Sequence, residues 1–321
     1  QFLAWLLAGL RDVVPTKYAP AQDPKDEHIQ ILVMGDIGRS PRMQYHAISA
    51  MKHGRQVDLV GFKGFYYPQH NFKRCILFTN RDAETARHPD LISKPNVCTY
   101  PLAPQPEWIQ WGTLPLLGIP YKVVHQFWTL FYTLMYATPP ARWIVIQNPP
   151  SIPTFHVALF AAWVRGSKVL VDWHNYGYTI LAQKALLRPL VPLYRAYEKF
   201  FGRRLGDANL AVTDAMAAQL RGPAFGLRSP VATLHDRPAA VFRPVASPAD
   251  RLAFLSRLPE TKADARNIVD GAVRLLVSST SWTADEDFGM FLDALMAYAQ
   301  PSPSADADPD AEGPVPIIAI I

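Results

Sequence analysis

Asp172 and His174 stand two apart in VDWHNYGYTIL, at the end of an apolar β-branched run. On an extended strand end that spacing puts both side chains on one face. A histidine beside a carboxylate can take a proton from a hydroxyl near neutral pH, so His174 is a candidate for touching substrate, with Asn175 and Gly177 following in the same loop. A second stretch, GDIGRSPRM from Gly35 to Met43, comes directly after the first apolar run. Gly35 and Gly38 let the backbone turn tightly. Ser40 is a good N-cap and Pro41 a good first helical residue, so the spacing predicts a helix from Pro41 to about His53 that stops at Gly54. Free N–H groups and the positive end of that helix, with the charges of Arg39 and Arg42, suit a diphosphate.

The third stretch, QNPPSIP from Gln147 to Pro153, makes a stiff strand-to-helix corner. At the carboxyl edge of a parallel sheet such a corner lies where ligands bind, which would turn Asn148 and Ser151 toward substrate. Further on, Ser278 and Thr280 could hold phosphate oxygens, provided that Asp285, Glu286 and Asp287 face away. Glu198, among Arg195, Lys199, Arg203 and Arg204 on a helix from Leu190 to Leu205, reads as solvated or facing lipid headgroups. The first loop is no dinucleotide fingerprint: Pro41 occupies the third glycine position of GxGxxG, and the second strand ends near Phe62 and Lys63 rather than an acid. With Cys75 and Cys98 the only cysteines, and no histidine pair at ligand spacing, neither a disulfide framework nor a metal site is expected.

The elements that must position these residues alternate short apolar runs with helical segments, the pattern of a parallel sheet wrapped by helices. The predicted strands are Ile29 to Met34, Gln56 to Gly61, Ile76 to Thr79, Val97 to Pro101, Trp143 to Gln147, Lys168 to Asp172 and Asn209 to Val212, with Val231 to Leu234 weaker. Between Ala240 and Ala272 strands give way to proline and charge, which places a domain junction there. A new βα unit follows, with a strand from Arg274 to Ser278 and a helix from Thr283 to Tyr298 opened by a Thr283/Glu286 capping box. Pro301 to Pro314 reads as a mobile insert and Val315 to Ile321 as the next strand, so the second domain is expected to be incomplete.

The 321 residues carry a net charge of +5 spread along the chain, which excludes a nucleic-acid arm and suits phosphate-bearing substrates or an anionic membrane surface. Gln1 to Leu10 are almost wholly apolar but too few to cross a bilayer, reading either as the tail of a truncated membrane span or as a short surface-seeking segment. Trp111 to Tyr136 is rich in aromatic residues but interrupted by Pro115, Pro120, Lys122 and His125, consistent either with an interfacial helix or with a buried one.

At GDIGRSPRMQYHAIS, QNPPSIP, VDWHNYGYTIL, LAVTDAM, LHDRPA, FRP and SSTSWTADEDFGMFLDAL, in this order from about Ile29 to Leu295, the sequence resembles the chitobiosyldiphosphodolichol β-mannosyltransferases. The resemblance implies a GT-B-type α/β fold of two Rossmann-like domains facing across a cleft, the second incomplete. Residues 1–28 would be anchor remnant and linker, 29–243 an acceptor-side domain, 244–271 a linker and 272–321 the start of the nucleotide-sugar domain. It also implies an enzyme at the cytosolic face of the endoplasmic reticulum membrane, adding mannose from GDP-mannose to dolichyl-diphosphate-linked chitobiose, with inversion, without cofactor or metal, and in possible company with other dolichol-pathway mannosyltransferases. On that reading His174 is the candidate base, Asp36 and Asp172 are alternatives, and Gly35, Gly38, Arg39, Ser40 and Arg42 serve a phosphate group. The rivals are a non-catalytic membrane-surface scaffold and another lipid-linked sugar transferase.

Overall fold

The computed structural model describes residues 17–62, 89–91, 94–104, 115–238, 242–245, 247–278, 287–299 and 315–320. The strand expected at Ile76 to Thr79, the Thr283/Glu286 box, Thr280 and the apolar segment Gln1 to Leu10 lie outside them. The chain divides into two compact units, Gln1–Arg237 and Pro238–Ile321.

The first unit runs β1 (His28–Asp36), α1 (Pro41–Lys52), β2 (Gln56–Phe62), β3 (Val97–Pro101), α2 (Pro115–Tyr132), β4 (Trp143–Asn148), α3 (Thr154–Arg165), β5 (Lys168–Trp173), α4 (Gly177–Ala182), α5 (Val191–Leu205), β6 (Ala208–Ala211), α6 (Asp214–Arg221) and β7 (Val231–Thr233). The seven strands pair in the order β3-β2-β1-β4-β5-β6-β7, all parallel. Both faces of the sheet are covered, which is why its strands read as continuous apolar runs. Along β1 the pleat sends Ile31 and Val33 to one face, with Met43, Ala47 and Ile48 of α1. Leu32 goes to the other, with Leu130 of α2 and Phe155 and Ala158 of α3.

Helix α2 ends in a π turn, Thr133–Ala137. Its inner side buries Leu130 and Leu134, while Trp128, Tyr132 and Tyr136 stand more than half exposed. The helix therefore combines the two readings open from sequence, a packed side and an aromatic ridge in solvent. Among the described residues no helix is long and apolar enough to cross a membrane. At the amino edge of the sheet, buried Glu27 gathers Tyr18 Oη at 3.0 Å, Arg55 at 2.6 Å and Arg142. Charge at that edge ties chain segments together.

In the second unit, β8 (Arg274–Val277) and β9 (Ile317–Ile320) pair in parallel, with α7 (Pro248–Leu255), α8 (Ala265–Asp270) and α9 (Phe288–Ala299). The residues expected as a linker at 244–271 hold α7 and α8, and Leu255, Ala265 and Ile268 form a small core with Val273, Leu275 and Ile318.

Candidate active site

In this strand order the chain leaves β1 toward β2 on one side and returns as β4 on the other, so the crevice between β1 and β4 is the topological switch point where open α/β sheets bind ligands. The loops Ile37–Ser40 and Pro149–Pro153 flank it at the carboxyl edge, and the loop after β5 is one strand further along. Ser40 Oγ donates to Gln147 Oε1 at 2.6 Å, tying the first of these loops to the end of β4 across the switch point. Ser40 stands at the N-cap of α1, as its type predicts, but that bond takes its hydroxyl away and the helix start has no side-chain cap.

The GDIGRS loop owes its shape to side chains more than to its glycines. Asp36 Oδ1 accepts the Gly38 N–H at 2.9 Å and Ile37–Arg39 wind into a short 3-10 turn. Neither Gly35 nor Gly38 has a positive φ. The glycine that the loop does require is Gly61 on β2, where a Cβ would stand 2.6 Å from Ile37 Cγ1 and 2.8 Å from the Val33 carbonyl. Arg39 is 77% exposed, with only a 3.5 Å contact to Asp36.

At the centre is Asp172, with no exposure to solvent. Arg42 reaches it with two parallel bonds, Nε to Oδ2 at 2.8 Å and Nη2 to Oδ1 at 2.9 Å, the strong bidentate form of the pair. His46 Nε2 lies 2.7 Å from Oδ2. His174 Nε2 lies 3.2 Å from the same oxygen but out of hydrogen-bond alignment, which leaves it an electrostatic neighbour with a buried ring nitrogen unpaired. Burial pushes the Asp172 carboxyl up, yet His174, His46 and Arg42 together hold it well below the usual carboxylate range. Arg42 also donates through Nη1 to the Leu234 carbonyl at 2.7 Å and to Asp236 at 2.9 Å.

Asp172 and His174 thus lie together as their spacing predicts, and the structure brings Arg42 to Asp172. Two assignments change. Arg42 is 10% exposed with its guanidinium committed to Asp172, Leu234 and Asp236, so it organises the site instead of offering a free charge to phosphate. Asp172 is sealed and shared among three cationic or imidazole groups, which makes it an anchor and not a proton acceptor open to substrate. Asn148 and Ser151, expected to face a ligand, are wholly buried. Asn148 Nδ2 donates to Glu198 Oε1 at 2.9 Å and to the Asn175 carbonyl at 3.2 Å, and Ser151 Oγ donates to Tyr194 Oη at 3.0 Å. The Asn175 side chain is exposed. Ser278 directly follows β8 in the second unit, its N–H donating to the Ile320 carbonyl at 2.9 Å.

Two residues escape a reading by motif. His46 sits four positions after Arg42 on α1, so both point to the same side of the helix; that spacing was the available signal. Glu198, read as a surface residue, has no exposure at all, because α5 turns it inward with Tyr194 and Tyr197. Burial pushes its carboxyl up, while the N–H groups of Asn148 and Gly177 pull it back. Among the described residues there is no group of three or more His, Cys, Asp and Glu side chains arranged to hold a metal ion.

The fold is a doubly wound α/β sheet with a histidine, carboxylate and arginine cluster at its carboxyl edge, followed in sequence by a second βαβ unit. By sequence it is a relative of the chitobiosyldiphosphodolichol β-mannosyltransferases. It is 43% identical over 224 residues to the protein of that name from Arthroderma benhamiae, covering 68% of this chain and 49% of that one. To the Mus musculus protein it is 36% identical over 305 residues, 87% of this chain and 58% of that one. The Arabidopsis thaliana protein named UDP-glycosyltransferase TURAN is 32% identical over 299 residues, 84% and 59% of the two chains. The chain spans about half the length of the curated relatives it matches. No family model matches it. A solved structure of LpCGTa in complex with UDP is similar at a TM-score of 0.43 and 12% identity, over 85% of this chain and 64% of that one.

Proposed function

We propose that this chain carries the acceptor-side part of a β-1,4-mannosyltransferase, which moves mannose from GDP-mannose to the chitobiose unit of a dolichyl diphosphate at the cytosolic face of the endoplasmic reticulum. The observation that carries the reading is the similarity to proteins of that name over 68 to 87% of the chain. In the reaction the acceptor hydroxyl oxygen bonds to the anomeric carbon from the side opposite GDP, the bond to GDP breaks, and the hydroxyl proton passes to a base. His174 is the candidate for that role. Its ring is 20% exposed, and the Asp172 carboxylate 3.2 Å away stabilises the imidazolium that proton transfer creates. Asp36, 19% exposed, is the alternative base. Exposed Arg39 and the uncapped start of α1 suit a diphosphate. The membrane surface would meet the aromatic ridge of α2 and the exposed Leu186, Leu190, Leu193 and Phe200, which stand among Arg188, Arg195 and Arg204.

The experiment is to compare His174→Ala and Asp36→Ala with wild type in a full-length protein, following mannose transfer to phytanyl-diphosphate chitobiose. His174→Ala is expected to lower kcat by about 100-fold or more, and Asp36→Ala by less. Turnover within a few-fold of wild type in both variants would remove the base from this loop pair. Transfer from a UDP-sugar and not from GDP-mannose would replace the donor, and binding of neither donor nor acceptor would leave a non-catalytic scaffold.

A further inference from the structure

The loops after β4 and β5 meet on one atom. Glu198 Oε1 accepts Asn148 Nδ2 at 2.9 Å and the Gly177 N–H at 3.0 Å. Asn148 closes the circuit: its carbonyl accepts the His174 N–H at 2.9 Å, and its Nδ2 also reaches the Asn175 carbonyl at 3.2 Å. The backbone on both sides of His174 is therefore tied, through Asn148 and Gly177, to one side chain of α5.

This arrangement carries a cost that packing alone does not explain. Glu198 is completely buried, and its Oε2 has no hydrogen-bond partner, nor has Asn148 Oδ1. A buried carboxylate with an unpaired oxygen is destabilising relative to an apolar side chain of the same volume. A glutamate kept for solubility would face outward with Arg195, Arg203 and Arg204, which are exposed on the same helix. The contact is also close: a Cβ at Gly177 would stand 2.4 Å from Tyr194 Oη.

We propose that Glu198 is a positioning residue, which fixes the Asn148 and His174–Gly177 backbone so that the His174 ring stays beside Asp172. The inference rests on the reading of His174 as the base and adds to it the element that aims it. In full-length protein, Glu198→Ala is expected to lower kcat by about tenfold or more while acceptor KM changes less than about threefold, and to move the His174 ring resonance in a spectrum of 15N-histidine-labelled protein. Glu198→Gln, which keeps the volume and an accepting oxygen, is expected to recover most of the loss.

Unchanged kcat in Glu198→Ala, or a kcat loss with the His174 resonance unmoved, would overturn the proposal. So would an equal fall in kcat and melting temperature in both variants, which would make Glu198 a core residue only. If wild type transfers no mannose, the proposed function fails, while the His174 resonance still decides the positioning role. Should Glu198→Ala not fold, Glu198→Asp, with its carboxylate withdrawn by one methylene, takes its place under the same criteria.

Discussion

Asp172 shows how much of a site can hang on one enclosed carboxylate. Its oxygens are shared among Arg42, His46 and His174, and it has no exposure. Asp172→Asn keeps the shape but leaves the buried Arg42 with only the exposed Asp236 as a counter-charge, so we expect a loss of about 3 kcal/mol of stability at pH 7. The carboxyl is held below the usual range in the folded protein. Its stabilisation is therefore complete above the unfolded value of about 4 and is lost as pH falls toward the folded one. Denaturant unfolding of both proteins from pH 7 down to pH 3 checks this: the gap should narrow with acid, and a constant gap would contradict it. The Asp172 and His174 pair was legible because a two-residue spacing on a strand end has one geometric meaning. His46 was not, because it reaches Asp172 from a distant element, α1, and Arg42 on that same helix looked like a phosphate ligand until its partners were known.

Elements were more legible than the directions they face. The predicted strands at Gln56 to Gly61, Val97 to Pro101 and Lys168 to Asp172 match β2, β3 and β5 to within a residue, and the Pro41 helix stops one residue short of expectation, at Lys52 before Gly54 (φ 77°). Strands buried on both faces announce themselves as apolar runs. Helix α5 spans nearly the predicted residues too, but four basic neighbours concealed that Glu198 turns inward with two tyrosines. How tightly that helix packs on the β5 loop is testable at Gly177. Gly177→Ala puts a methyl 2.4 Å from Tyr194 Oη and should destabilise by about 1–3 kcal/mol. Adding Tyr194→Phe removes the clashing oxygen and should recover part of it in a thermal or denaturant melt. Strict additivity of the two changes would mean that they do not meet.

For the whole molecule, the net charge of +5 and the exposed Leu186, Leu193 and Phe200 beside arginines suit a surface that rests on an anionic membrane. Co-sedimentation with phosphatidylserine vesicles should be seen, should weaken as salt rises, and should fall by about tenfold in Leu193→Asp/Phe200→Asp. Equal binding by the double variant would place the contact elsewhere. The sequence motifs pointed to a glycosyl transfer before any geometry was available through their resemblance to a known family, while their position at the carboxyl ends of parallel strands pointed only to ligand contact. What they could not supply was which charged groups are spent on one another. Mass-spectrometric detection of a single mannose added to phytanyl-diphosphate chitobiose, by full-length wild-type protein and by His174→Ala with GDP-mannose as donor, decides between transfer and its absence. Wild type should give a one-hexose product, and the variant should form it at a rate lower by about 100-fold or more. No hexose transfer by wild type, or equal rates from the two, would contradict these expectations.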